Sequence, residues 1–228
     1  MIDQAIFDRL RIQQEKLMQL ADRSDLIEVE VVDPTPGWPA EKYIITYRCK
    51  GIARINHDRE PEYSWLHRME MYLSDDYPVT EPYLKFLTPI WHPNIASTEP
   101  RQVCTDHTKS WWVGKDLDEL VEKIGEMVQY KSYHAEWVAP FPKDLEAAQW
   151  VLDYAEPRGI VGKEKPLDES PLRSGYEIYQ GDQPPPESQV VAEPPRVQAN
   201  KITLGSAAGE NAAIEAQSKR IELGIPRE

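Results

Sequence analysis

Three side chains near the middle of the chain could together carry out acyl transfer. Cys104 lies ten residues after Asn94 in the run Trp-His-Pro-Asn-Ile, and Asp106 follows two residues later. A cysteine attacks a carbonyl carbon as its thiolate, and an asparagine amide held nearby can donate a hydrogen bond to the oxyanion that forms. The spacing therefore predicts a protein that carries an acyl group on the Cys104 sulfur and passes it on.

Each of these residues also has a purely structural interpretation. Cys104 could be a packing residue, Asn94 a turn residue bonded to its own backbone, and Asp106 a solvated loop acid. If they do act, we expect Asn94 to polarise the carbonyl or to brace the loop that carries Cys104. We expect Asp106 to orient the attacking amine or to help lower its pKa.

A zinc site is a further alternative for Cys104. The sequence Cys104-x-x-His107 could be completed by His92 and His134. Structural zinc sites usually have four ligands, with cysteines paired at short spacing. Cys49 lies 55 residues upstream in a predicted strand, where packing is its expected role. We therefore predict no metal and no cofactor.

Hydrophobic periodicity predicts the elements that position these residues. Helices are predicted over 4–22, 117–128 and 145–154. Strands are predicted over 26–32, 43–49, 66–73 and 83–87. Residues 91–115 show no period, and long aperiodic stretches inside compact domains are usually functional. The pattern predicts an α+β domain: a helix, a four-stranded antiparallel meander, a long active-site loop and two C-terminal helices.

The distribution of aromatic residues predicts where the folded domain ends. All seven tryptophans and all three phenylalanines lie before residue 151. Large apolar side chains are needed to offset the entropy lost on folding, roughly 1–2 kcal/mol per backbone residue. We therefore predict a catalytic domain over 1–158 and a Pro-rich flexible tail over 159–228, with a short helix at 210–223.

Composition excludes several classes of partner and location. The net charge is −13, and no basic patch with interleaved aromatics is present, so we predict no binding of nucleic acid. No apolar run approaches the ~20 residues that span a bilayer, so we predict no membrane association. The N-terminus lacks a basic leader and an apolar core, and the two cysteines form no disulfide framework. We therefore expect a cytoplasmic protein.

Several motifs, in order, resemble those of ubiquitin-conjugating enzymes. They are Tyr77-Pro78, Pro82, the strand that ends at Phe86, His92-Pro93-Asn94, Cys104-x-Asp106, Trp112, and the phrase Pro-Phe-Pro-Lys-Asp-Leu-Glu-Ala-Ala at 140–148. The resemblance covers about residues 5–155 and implies the UBC-like fold. Three departures indicate a divergent member, similar to the ubiquitin-conjugating-like proteins of bacterial operons. The first is that the proline pair usual after Tyr-Pro is reduced to Pro82. The gap from Asn94 to Cys104 is longer by two residues, and Ala139 stands where the family often has an acid, for which Glu136 or Asp144 could substitute.

The resemblance implies a function and a set of partners. It implies that Cys104 accepts ubiquitin or a ubiquitin-like protein as a thioester from an activating enzyme and transfers it to an amine on a target protein, with a ligase as a further partner. In the family the first helix helps to contact the activating enzyme, which points to Arg9, Arg11 and Lys16. The alternatives are a non-catalytic UBC-like binding module or adaptor, and a thiol hydrolase with a histidine base.

Overall fold

The computed structural model describes residues 4–104, 114–138, 141–162 and 164–173. Its elements are, in chain order, α1 (Gln4–Asp22), β1 (Ile27–Val31), β2 (Lys42–Tyr47), β3 (Gly51–Ile55), β4 (Pro61–Ser64), β5 (His67–Tyr72), β6 (Tyr83–Phe86), α2 (Leu117–Val128) and α3 (Leu145–Trp150), which continues as a π-helical turn over Val151–Ala155. The predicted α+β architecture is confirmed, because a helix precedes a four-stranded sheet and two helices follow it.

The four-stranded sheet is antiparallel with the order β1-β2-β5-β6. Its inner face is apolar because alternate residues of each strand point the same way. In β5, Met69 and Met71 are fully buried while Arg68 and Tyr72 face outward. These four strands are the ones that the sequence predicts.

A second hairpin is an addition to the predicted fold. After β2 the chain continues into β3, turns at residues 56–60 and returns as β4 into β5. The Asn56 side chain stabilises the turn by accepting hydrogen bonds from the backbone nitrogens of Asp58 and Glu60, both at 2.9 Å. Charged residues such as Arg54 and Glu62 interrupt the apolar alternation, so the sequence pattern did not identify these strands.

The helices α1 and α2 pack on the inner face of the sheet with the bounds that the sequence predicts. Leu17 and Leu20 of α1 and Val121 of α2 are fully buried. A buried glutamine links the helices: Gln13 accepts from the Leu117 backbone nitrogen at 2.6 Å and donates to the Asp116 carboxylate at 2.8 Å. This contact satisfies one of the N–H groups that every helix N-terminus leaves unpaired.

Residues 164–173, here called the C-terminal strap, lie against the domain. Asp168 accepts a hydrogen bond from the Lys50 backbone nitrogen at 2.8 Å, and Gln129 donates to the Ser170 carbonyl at 2.9 Å. Leu172 is buried over Gly125, where an added Cβ would lie 2.7 Å from a Leu172 methyl carbon. The described part of the predicted tail thus packs on the domain.

The boundary at 158/159 stays a prediction. The rest of the predicted tail, including the helix at 210–223, lies outside the described residues. Among the helices that the structure describes, none combines the length and apolar character required to cross a bilayer.

The packing of the strap predicts the effect of truncating its buried leucine. Leu172→Ala should lower the free energy of unfolding by about 2 kcal/mol, because it removes buried methyl groups and leaves a cavity above α2. Urea denaturation followed by circular dichroism measures the change. The matched control is Leu145→Ala, since Leu145 is 50% exposed and should shift stability by no more than about 0.5 kcal/mol. Equal losses in the two variants would contradict the packing of the strap.

Candidate active site

Cys104 lies at the end of a short extended segment that is hydrogen-bonded on both sides. On one side, the Phe86 nitrogen donates to the Arg101 carbonyl at 3.0 Å and the Val103 nitrogen donates to the Leu84 carbonyl at 3.1 Å. On the other side, the Cys104 nitrogen donates to the Asn94 carbonyl at 2.9 Å. The backbone of Cys104 is therefore fixed, while its side chain is only half-buried.

The other cysteine has a different environment. Cys49 is fully buried, and burial, aided by the nearby Asp168 carboxylate, raises the pKa of its thiol to about 12. At neutral pH this thiol stays protonated, and a protonated thiol is a poor nucleophile. Burial therefore makes Cys49 a poor candidate nucleophile, and Cys104 stays the predicted one.

The Asn94 side chain is fully buried and forms a pair of hydrogen bonds with the backbone of His134. Its Nδ2 donates to the His134 carbonyl at 3.0 Å, and its Oδ1 accepts from the His134 nitrogen at 2.8 Å. The amide therefore ties the Cys104 segment to the loop that follows α2. Of the two roles predicted for Asn94, this geometry favours bracing of the loop.

The turn at His92-Pro93 packs against the buried side chain of Tyr130. His92 is fully buried, its Nδ1 accepts from the Asn94 nitrogen at 3.1 Å, and its ring meets that of Tyr130 edge-on at 4.9 Å. The Tyr130 hydroxyl donates to the Trp91 carbonyl at 2.7 Å. Burial raises the pKa of Tyr130 well above its usual value, so the hydroxyl remains a donor. These contacts make His92 a structural residue of the turn.

Asp144 is a second link of this kind, half-buried, and the sequence did not predict it. One carboxylate oxygen accepts from the Ala147 nitrogen and caps α3, and the other accepts from the Ser97 nitrogen, each at 2.9 Å. In addition, the Pro93 carbonyl accepts from the backbone nitrogens of Lys143 and Asp144. Both oxygens of Asp144 therefore hold backbone groups in place, and its substitution for the family's acid stays a prediction. Glu136 is exposed.

The longer gap between Asn94 and Cys104 is accommodated by a turn. The Arg101 nitrogen donates to the Thr98 carbonyl at 2.8 Å, and Arg101 has a φ of 48°. The Ala96 nitrogen then donates to the Gln102 carbonyl, which restores the pairing of the two segments before Cys104. The additional residues therefore do not displace Asn94 from the Cys104 backbone.

Three predicted features fall outside the described part of the chain. Asp106, His107 and the Trp111-Trp112 pair lie within residues 105–113, and the predicted role of Asp106 stays a prediction. Among the described residues, no group of three histidine, cysteine or acidic side chains could hold a metal ion.

Two of the three basic residues predicted to contact an activating enzyme form ion pairs within the domain. Arg9 and Lys16 both pair with Asp116 at the N-terminus of α2, and Arg9 also donates to the Lys115 carbonyl at 2.6 Å. Arg11 pairs with Glu15 at 2.6 Å, but both side chains are about half exposed. Of the three, Arg11 is therefore the residue most accessible to a partner.

The paired hydrogen bonds of Asn94 predict a large loss of stability on truncation. Asn94→Ala should lower the free energy of unfolding by about 2 kcal/mol, because two backbone groups of His134 lose their partners. Chemical denaturation measures this value. Asn56→Ala is the matched control, since it also removes two hydrogen bonds to backbone but in an exposed turn, where about 1 kcal/mol or less is expected. A smaller loss at residue 94 than at residue 56 would exclude the bracing role.

Comparison with known proteins places this geometry in a family context. The family model described as "Ubiquitin-conjugating enzyme" matches residues 55–146, which include Asn94 and Cys104. Ubiquitin-conjugating enzyme E2 13 of Saccharomyces cerevisiae is 35% identical over 82 residues, which cover 36% of this chain and 52% of that protein. Ubiquitin-conjugating enzyme E2 T of Homo sapiens is 22% identical over 176 residues, which cover 70% of this chain and 87% of that protein.

A solved structure described as the E2 domain of a Toxoplasma gondii ubiquitin-conjugating enzyme has 20% sequence identity and a TM-score of 0.44, covering 69% of this chain and 93% of that chain. The match spans about half the length of the yeast protein and of ubiquitin-conjugating enzyme E2 N of Macaca fascicularis. Residues 55–146 of this chain are thus distant relatives of the ubiquitin-conjugating enzymes.

Proposed function

We propose that this chain accepts ubiquitin or a ubiquitin-like protein as a thioester on Cys104 from an activating enzyme, and transfers it to an amine on a target protein. The observation that carries the proposal is the half-buried thiol at the end of a segment hydrogen-bonded on both sides. The family match across Asn94 and Cys104 supports it. A fixed backbone with an accessible sulfur suits a group that must receive and release another protein.

The proposed chemistry consists of two acyl transfers. In the first, the Cys104 thiolate attacks the carbonyl carbon of the modifier's thioester; a new carbon–sulfur bond forms, the old one breaks, and the leaving thiolate takes up a proton. In the second, a neutral amine attacks the same carbon; a carbon–nitrogen bond forms, the Cys104 thiolate leaves, and the amine loses a proton. Neither step oxidises or reduces any group, so this chain needs no cofactor.

Within this mechanism the roles of Asn94 and Asp106 differ. Both polar atoms of the Asn94 amide contact the His134 backbone, so its proposed role is to hold the Cys104 segment in place. Asp106 is proposed to attract and orient the amine. A carboxylate beside an amine stabilises the ammonium form, so it would raise the amine's pKa rather than lower it.

The proposal predicts a covalent adduct that depends on Cys104. The full-length chain, mixed with ubiquitin, ubiquitin-activating enzyme and Mg-ATP, should form an adduct on a non-reducing gel that a thiol reductant releases. Cys104→Ala should form none, because the nucleophilic sulfur is absent. Cys104→Ser should form an adduct that resists the thiol, because an oxygen ester does not exchange readily with thiols.

Cys49→Ala is the control, since it removes a sulfur that burial keeps protonated, and its adduct should match that of the wild type. An adduct that persists in Cys104→Ala would contradict the assignment. A wild-type chain that forms no adduct but binds ubiquitin would instead support the alternative of a non-catalytic binding module.

The proposed contact with the activating enzyme is the exposed side of α1. A groove of about 520 Å³ separates α1 from the loop before β2 and is lined by Phe7, Arg11, Met18 and Trp38. The rings of Phe7 and Trp38 meet edge-on at 5.1 Å and form its apolar wall. An apolar wall beside a half-exposed arginine is typical of protein interfaces, where aromatic residues and arginine are enriched.

This contact predicts a defect that is limited to enzymatic charging. Arg11→Glu should slow adduct formation with the activating enzyme about tenfold, because it reverses a charge at the proposed interface. Charging from a ubiquitin carboxy-terminal small-molecule thioester, which needs no activating enzyme, should keep its wild-type rate. Arg54→Glu is the matched control, since Arg54 also forms an exposed ion pair with a glutamate but lies on β3. Equal slowing of both charging reactions in Arg11→Glu would exclude the interface.

A cytoplasmic location is also part of the proposal. Cys49 and Cys104 are thiols and are not joined in a disulfide. A reducing compartment keeps thiols in this state, whereas an oxidising one favours disulfides.

A further inference from the structure

The helix α2 is followed by a tyrosine whose backbone has the left-handed conformation. Tyr130 has a φ of 57°. Its nitrogen donates to the Met127 carbonyl at 2.9 Å, and the Lys131 nitrogen donates to the Glu126 carbonyl at 2.8 Å. These two bonds form the Schellman motif, in which the left-handed residue is usually glycine. A Cβ atom disfavours this conformation, so a tyrosine at this position costs free energy that a glycine would not.

The side chain of Tyr130 makes the contacts that offset this cost. It is fully buried, and its ring lies 4.9 Å from that of His92 and 5.5 Å from that of Tyr133. Its hydroxyl donates to the Trp91 carbonyl at 2.7 Å. A glycine would relieve the backbone but would lose all of these contacts. Because strained backbone persists only where surrounding contacts determine it, and clusters at functional sites, Tyr130 is a candidate for a role in this site.

The residues that contact Tyr130 lead directly to Cys104. Trp91 and His92, which meet its hydroxyl and its ring, begin the turn that contains Asn94. The Nδ1 of His92 accepts from the Asn94 nitrogen at 3.1 Å. The Asn94 carbonyl in turn accepts from the Cys104 nitrogen at 2.9 Å. Two residues, His92 and Asn94, therefore connect the Tyr130 ring to the Cys104 backbone.

The segment that starts at Tyr130 holds the same turn at a second point. Four residues after Tyr130, the backbone of His134 forms both hydrogen bonds of the Asn94 amide, at 2.8 and 3.0 Å. A left-handed residue after a helix sets the direction in which the chain continues. The conformation of Tyr130 therefore directs the chain toward His134, while its side chain supports the turn at Trp91 and His92.

We propose that Tyr130 is a positioning residue for the acyl transfers of Cys104. The inference rests on the proposed function, because the position of the thiol matters to a reaction only if it carries an acyl group. Tyr130 acts through His92 and Asn94, which keep the Cys104 backbone in place. A misplacement of ~1 Å can cost about a hundredfold in rate, so support from a residue outside the reacting groups can control the reaction.

Amide hydrogen exchange tests this support without any partner protein. Tyr130→Phe keeps the ring and the backbone and removes only the hydroxyl. The amides of Asn94 and Cys104 should then exchange about tenfold faster than in the wild type, because the bond to the Trp91 carbonyl no longer restrains local opening of the turn. Exchange at each amide is followed by NMR.

Tyr47→Phe is the matched control. Tyr47 is also fully buried, and its hydroxyl also donates to a backbone carbonyl, that of Val121, at 2.9 Å. The control therefore removes the same type of hydrogen bond, but away from the turn. It should lower the global stability by a similar amount, while the Asn94 and Cys104 amides exchange more slowly than they do in Tyr130→Phe.

Discharge of the charged full-length chain tests the positioning role itself. In single-turnover transfer from the Cys104 thioester to free lysine, Tyr130→Phe should lower the maximal rate about tenfold, because the reactive geometry is populated less. The lysine concentration at half the maximal rate should keep its wild-type value, since the variant moves the thioester and does not change the binding of the amine. Tyr47→Phe should keep both values.

The outcomes separate this inference from the proposed function. If the wild type forms no thioester, the proposed function fails and the inference fails with it. If the thioester forms but Tyr130→Phe and Tyr47→Phe slow its discharge equally, the effect is one of stability and only the positioning role is overturned. The role is also overturned if Tyr130→Phe speeds hydrogen exchange but discharges at the wild-type rate, or if it changes only the half-saturating lysine concentration.

Discussion

The buried amide of Asn94 is the contact on which the geometry around Cys104 depends. Its side chain bonds to the backbone of His134, while its own carbonyl accepts from the Cys104 nitrogen. A buried polar group without a partner costs roughly 1–3 kcal/mol, so the arrangement in which all these groups are paired is strongly favoured. Asn94 thus holds the backbone of Cys104 beside the loop after α2. Asp144 makes a similar link, because it joins Ser97 to the start of α3.

This arrangement explains how the site tolerates a longer loop. The additional residues before Cys104 form a turn at 98–101, and the hydrogen bonds on either side of that turn are retained. Since the cost of closing a loop grows only slowly with its length, two more residues add little as long as both ends stay bonded. The loop can therefore diverge in length and sequence while the cysteine backbone stays beside Asn94.

The sequence predicted the elements whose patterns are periodic. The bounds of α1 and α2 follow from apolar residues at helical spacing, and the strands of the main sheet follow from alternation. The β3–β4 hairpin and the C-terminal strap were not predicted. Charged residues interrupt the apolar alternation of the hairpin, and the hydrogen bonds that hold the strap to backbone groups leave no periodic signal. The role of Asp144 was not predicted for the same reason. The two groups that donate to its carboxylate are backbone N–H groups, which every residue except proline supplies.

Charge and burial, rather than residue type, decide which side chains remain available to partners. Arg9 and Lys16 are basic residues of the kind that a docking surface would use. Both, however, form ion pairs with Asp116 at the start of α2 and neutralise the charge of its carboxylate. The two cysteines differ in the same way: burial and an adjacent carboxylate raise the pKa of Cys49 to about 12, whereas Cys104 is only half-buried. Neither difference can be read from the sequence. The tertiary contacts distinguish a buried thiol or an ion-paired cation from one that is more accessible to a partner.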